Sequence, residues 1–160
     1  MLTTALARRL VDRLRETGLR VATAESCTGG LASSAITDIP GASDVFDRGF
    51  VTYSNAAKHE LLDVPEAILL EHGAVSRKTA RAMALGALAH SLADVTVAIT
   101  GVAGPGGGTA EKPVGLVHFA CARRHGGIVE IERRFGPLER AAIREASVRQ
   151  ALEMMLDALD

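Results

Sequence analysis

The residue types able to do chemistry gather in three short stretches of this 160-residue chain. The first is Glu25-Ser26-Cys27-Thr28-Gly29-Gly30, a set of small polar side chains followed by paired glycines. A strand-to-helix turn here would expose Ser26. It would also aim backbone N–H groups of Thr28, Gly29 and Gly30 at an anion or a developing oxyanion. Such donors contribute roughly 2.7–4 kcal/mol each when they stabilise an oxyanion. The same residues would equally serve a tight turn with an ordinary helix cap. Three nucleophiles compete in the segment. Cys27 is intrinsically stronger than Ser26, but a thiolate needs a stabilising neighbour and no histidine lies nearby in sequence. A small buried cysteine is the commoner case, and Thr28 suits a capping role.

The second stretch runs from Thr100 to Thr109 and holds Gly101, Ala103, Gly104 and Gly107. Glycines let a backbone approach a ligand closely, and successive N–H groups in such turns form anion-binding concavities. The stretch matches neither GxxxxGK[ST] nor GxGxxG, and a plain surface turn accounts for it equally well. Lys112 adds one cation beside it. The third stretch is Tyr53-Ser54-Asn55-Ala56-Ala57-Lys58. Lys58 can act as a serine's general base only if burial or nearby positive charge lowers its pKa from ~10.4. By spacing alone it is an ordinary solvated helix lysine. Asn55 would offer amide contacts to a substrate.

The five histidines, His59, His72, His90, His118 and His125, show no HxH or HExxH spacing, and Cys27 and Cys121 form no CxxC pair. This gives no basis for a metal site or a disulfide framework.

Positioning these stretches requires alternating helices and strands. An amphipathic helix carrying Leu6, Leu10, Val11 and Leu14 ends at Gly18. Leu19–Ala24 reads as a strand, Thr28–Asp38 as a helix, and Gly49–Tyr53 as a second strand. Short helices follow around Lys58 and after Pro65, then a longer one over Ser76–Leu92 with Ser76 as its cap. Asp94–Thr100 is the clearest buried strand. Val114–Cys121 and Gly127–Phe135 form a hairpin turning at Arg123–Gly126, and a last helix covers Leu138–Leu159. The pattern implies an α/β protein: one three-layer α/β/α domain over the whole chain with a mixed sheet, parallel in part and antiparallel at the hairpin. Both small-residue loops follow strands, so both could face a crevice beyond the strands' carboxyl ends.

Composition narrows the function classes. The hydrophobic fraction is 48%, and a domain of this length buries roughly 70% of its unfolded surface. The formal charge is −1 and aromatics make up 3%, which gives neither a basic face nor stacking platforms for nucleic acid. No apolar run reaches the ~20 residues of a membrane span, and the first residues lack the order of a signal peptide. A soluble cytoplasmic protein is expected. The sequence leaves oligomeric state open, a symmetric homodimer being the commonest assembly.

Beyond these readings the chain resembles a known family, the C-terminal domain of CinA, the competence/damage-inducible protein, with its stand-alone relatives, the nicotinamide mononucleotide amidohydrolases. The resemblance is carried by Thr23–Leu31, by Phe46–Asn55 with Lys58, by His72–Ser76, by Thr100–Pro105 and by Lys112–Gly115, in the family's order. The N-terminal, molybdopterin-binding-like domain of two-domain members is missing, so the chain resembles the stand-alone form. The resemblance implies hydrolysis of the carboxamide of nicotinamide mononucleotide to nicotinic acid mononucleotide and ammonia, within pyridine-nucleotide recycling. It implies no metal and no organic cofactor. It implies Ser26 as nucleophile, with Lys58 taking the serine proton and Tyr53 orienting the lysine or relaying a proton. Glu25, Cys27, Thr28, Gly29, Gly30, Asn55, Thr100, Gly101, Ala103, Gly104, Gly107 and Lys112 would then surround a small-molecule nucleotide. A non-catalytic nucleotide-binding module, an amidase for another small amide and a scaffold are the competing readings.

Overall fold

The computed structural model describes residues 2–160. Five strands form one mixed sheet in the order β2-β1-β3-β4-β5. The parallel part comprises β1 (Val21–Glu25), β2 (Phe46–Val51) and β3 (Val95–Gly101). β4 (Leu116–Arg123) and β5 (Ile128–Arg134) add the antiparallel hairpin.

Helices cover both faces. On one side α1 (Leu2–Thr17), α2 (Leu31–Thr37) and α6 (Arg140–Asp157) bury Leu10, Ile36 and Leu152 against Val97, Ile99 and Phe119 of the sheet. On the other side α3 (Asn55–Leu62), α4 (Glu66–His72) and α5 (Arg77–Ala89) pack Leu62, Leu69 and Met83. There the sheet presents Ala24, Ala98, Ala120 and Ala122, and α5 answers with Ala80, Ala84 and Ala87. Alternation along the strands explains the division, since successive side chains point to opposite faces. Small residues on both surfaces bring α5 close to the sheet. Thr96 donates to the Ala84 carbonyl across that interface at 2.8 Å.

Several element boundaries shift from expectation, among them the starts of α2 and β2. Helix α2 begins at Leu31 rather than Thr28, because Gly29 and Gly30 take positive φ values of 56° and 106°. That left-handed backbone favours glycine and cannot continue a right-handed helix. Strand β2 starts at Phe46, earlier than the apolar run suggests, because it pairs with β1 from Val21 onward. A 3-10 turn, Ala42–Asp44, precedes it.

The register creates the functional edge. Glu25 lies opposite Val51 on one side and Ile99 on the other. The residues that follow these three parallel strands therefore leave the same edge side by side. The Ser26 N–H donates to Ile99 O at 2.9 Å, and the Thr52 N–H to Glu25 O at 2.9 Å.

Candidate active site

Beyond that edge lies a cavity of about 300 Å³, at the small end of ligand pockets. Ser26, Cys27, Tyr53, Lys58, Thr100, Gly101, Ala103, Gly104 and Gly107 line it, joined by Arg140. Of three larger surface hollows, those of about 720 and 530 Å³ at the α3–α4 and α3–α5 grooves hold no serine or cysteine, and the one of about 400 Å³ between α2 and α6 holds Ser34 but no lysine or histidine.

Lys58 is fully buried and is among the largest of the fully buried side chains. Helix α3, capped by Ser54 accepting from Ala57 N at 3.0 Å, carries it inward. Lys58 Nζ lies 3.0 Å from Ser26 Oγ, 2.9 Å from Thr52 O and 3.1 Å from Tyr53 O. The two carbonyls can only accept, so they occupy two N–H groups. The third contact fits either protonation state. The ammonium donates to Ser26 Oγ, whereas the neutral amine accepts the serine proton. Burial pushes the Lys58 pKa below its ordinary value, and only the nearby Cys27 thiol opposes the shift. No carboxylate forms an ion pair with Lys58 among the described residues.

Cys27 also borders the cavity but is 5% exposed. Burial drives its thiol up to about 11, so it stays protonated at neutral pH and is a poor nucleophile.

Several residues expected around a ligand do other work. Glu25 is fully buried and does not line the cavity. Its Oε1 accepts from Ala32 N at 2.8 Å, and its Oε2 from Ser33 N at 3.0 Å and Ser33 Oγ at 2.8 Å. The carboxylate thus takes the N–H groups of the second and third residues of α2, free donors that a helix start would otherwise offer an anion. The Leu31 N–H goes to Thr28 O and the Gly29 N–H to Ser26 O, each at 3.0 Å. Thr28 is fully buried, and neither it, Gly29 nor Gly30 reaches the cavity wall. Asn55 lines the outer α3–α4 hollow. Lys112 donates from Nζ to His72 O, at the C-terminal end of α4. There a cation complements the helix dipole. The Thr100 hydroxyl donates to Ala74 O at 2.8 Å, tying the two cavity walls together.

Tyr53 differs from expectation in which end it offers. Its carbonyl holds Lys58, while its phenol oxygen accepts from Arg140 Nη2 at 3.0 Å. Arg140 also donates from Nη1 to Gly104 O at 2.7 Å. One turn further along α6, Arg144 donates to Cys27 O at 3.1 Å and Thr28 O at 3.2 Å, securing the nucleophile turn. Sequence reasoning missed both arginines. Their one local signal is a shared face, four residues apart at the start of α6.

A fold of this kind, with a serine–lysine pair beyond the carboxyl ends of parallel strands, belongs to the class of three-layer α/β proteins that place their sites at strand ends. The CinA C-terminal domain family matches residues 3–159, and the chain belongs to that family. A nicotinamide-nucleotide amidohydrolase, PncC, of Enterobacter agglomerans is 54% identical over 131 residues, spanning 82% of this chain and 79% of that protein. A CinA-like protein of Akkermansia muciniphila is 51% identical over 96% of this chain but only 37% of its own length. The chain thus spans little more than a third of several curated relatives. Among solved structures, the competence/damage inducible protein CihA from Agrobacterium tumefaciens superposes with a TM-score of 0.97 at 55% identity, covering 99% of this chain and 96% of that one. A CinA superfamily protein from Escherichia coli gives 0.92 at 36% identity, covering 98% and 90%.

Proposed function

We propose that this chain hydrolyses the carboxamide of nicotinamide mononucleotide, using Ser26 as nucleophile and Lys58 as its base. The observation that carries this reading is the 3.0 Å contact between Lys58 Nζ and Ser26 Oγ inside a cavity. The Enterobacter agglomerans relative, named for nicotinamide-nucleotide amidohydrolysis, supplies the substrate class.

In this mechanism neutral Lys58 accepts the serine proton while Oγ bonds to the amide carbon. The positive pyridinium ring withdraws electrons from that carbon, so a modest nucleophile suffices. The tetrahedral intermediate collapses, the C–N bond breaks, and the Lys58 ammonium returns its proton to the departing nitrogen, giving ammonia. Water then adds to the acyl-serine with Lys58 again taking a proton, and as the second tetrahedral intermediate collapses the C–Oγ bond breaks and Lys58 returns that proton to Ser26 Oγ. The products are nicotinic acid mononucleotide and free enzyme, a step suited to pyridine-nucleotide recycling. Because Glu25 occupies the start of α2, oxyanion donors come in this reading from the Cys27 N–H beside the nucleophile and from the Gly104–Gly107 loop. An N–H just after the nucleophile serves the same purpose at other strand-to-helix elbows.

The test is ammonia release from nicotinamide mononucleotide by wild type and by Ser26→Ala. Turnover lost in a folded alanine variant is expected. Near-normal turnover in that variant would replace acyl-serine chemistry with a directly activated water. Binding without turnover in the wild type would make the chain a nucleotide-binding module. Turnover confined to other compounds in a panel of small amides would reassign the substrate.

A further inference from the structure

Arg140 is a second basic side chain in the cavity, exposed to solvent and distinct from the buried Lys58. Two of its contacts hold it in place, Gly104 O and the Tyr53 phenol. A guanidinium has five N–H donors in a rigid fork, so those contacts leave donors to spare. No carboxylate pairs with Arg140 among the described residues, and none lines the cavity. This contrasts with Arg144, whose Nε and Nη2 are committed to backbone carbonyls.

Tyr53 sets the distance between the two basic side chains. Its carbonyl accepts from Lys58 and its phenol oxygen from Arg140. The reacting centre and the free guanidinium therefore stand one tyrosine residue and two hydrogen bonds apart. A ligand bridging them would place its amide at Ser26 and an oxyanion at the far end. The intervening wall, from Gly104 to Gly107, has open space where side chains would begin at Gly106 and Gly107.

We infer that Arg140 binds the phosphate of a nucleotide substrate and sets the preference for a phosphorylated over an unphosphorylated amide. This rests on the amidohydrolase reading above for the orientation of the ligand. The fork of an arginine matches phosphate bidentately, which an ammonium does not. Tyr53 and Gly104 O hold the guanidinium in place before the ligand arrives, so less of its freedom is lost on binding.

The experiment measures calorimetric affinity in the Ser26→Ala background, so that no ligand is consumed. The probes are nicotinamide mononucleotide and nicotinamide riboside, which differ only by the phosphate. Adding Arg140→Gln is expected to weaken the mononucleotide roughly 10- to 150-fold, the range spanned by hydrogen bonds to charged groups, and to narrow its advantage over the riboside by the same factor. Arg140→Lys should recover part of the loss. The inference is overturned if Arg140→Gln leaves the mononucleotide affinity unchanged, weakens both ligands equally, or if the mononucleotide binds to neither variant. Failure of the amidohydrolase reading shows separately, as absence of ammonia from the wild type, and the phosphate assignment is then judged on binding alone.

Discussion

Lys58 Nζ lies 3.0 Å from Ser26 Oγ although the residues stand 32 positions apart, on helix α3 and on the turn after β1. The lysine is fully buried, and its remaining contacts are backbone carbonyls. A pair so arranged works as nucleophile and base only while the amine is neutral.

Activity should therefore rise with pH through the Lys58 titration, at a pH below the ordinary lysine value because burial lowers its pKa. A kcat/KM profile for ammonia release measures this. Lys58→Arg, charged at all accessible pH values, should be inactive throughout. A wild-type profile flat across the neutral and alkaline range would remove Lys58 as the base.

The same shift links to stability. Between the lowered folded pKa and the unfolded value of 10.5 the unfolded chain binds the extra proton. Stability contributed through this group thus rises with pH across that window and is least below it. Urea titrations at several pH values should show this slope in the wild type and its loss in Lys58→Met.

Cys27 borders the cavity with a thiol raised to about 11. Cys27→Ala should retain turnover within about an order of magnitude, whereas Ser26→Ala should lose several orders, the scale found when other catalytic serines are removed. Iodoacetamide should label Cys27 slowly at neutral pH. Complete loss of turnover in Cys27→Ala would shift the nucleophile to sulfur.

Glu25 fixes the start of α2 through three hydrogen bonds from Ala32 N, Ser33 N and Ser33 Oγ. Glu25→Gln places an amide NH2 against these donors and should cost about 1–3 kcal/mol, read as a lower urea midpoint. Because Ser26 is the next residue, kcat should fall as well.

At Gly86 an added Cβ would overlap Leu62 O, where α5 crosses α3. Gly86→Ala should destabilise by about 1–3 kcal/mol or more. Since α3 carries Lys58, activity should fall alongside the thermal midpoint.

The residues alone determined the kinds of elements and the two loops that line the cavity. Strand alternation and helical spacing are local properties, and so are the turns that Gly29, Gly30 and the Gly101–Gly108 run impose. The family was legible for the same reason, in short motifs that keep their order along the chain. Tertiary structure decided which groups meet. A lysine at the end of the Tyr53–Lys58 stretch looks solvated until α3 packs against α5 and turns it inward. Glu25 looks like a ligand contact until β1 delivers it under the start of α2. Arg140 and Arg144 belong to a helix more than 100 residues from the Ser26 turn, and only the tertiary fold brings their guanidinium groups within hydrogen-bond reach of the Gly104, Cys27 and Thr28 carbonyls. Periodicity specifies the face a side chain takes on its own element. The partner it finds there depends on strand order, register and the helix laid across them.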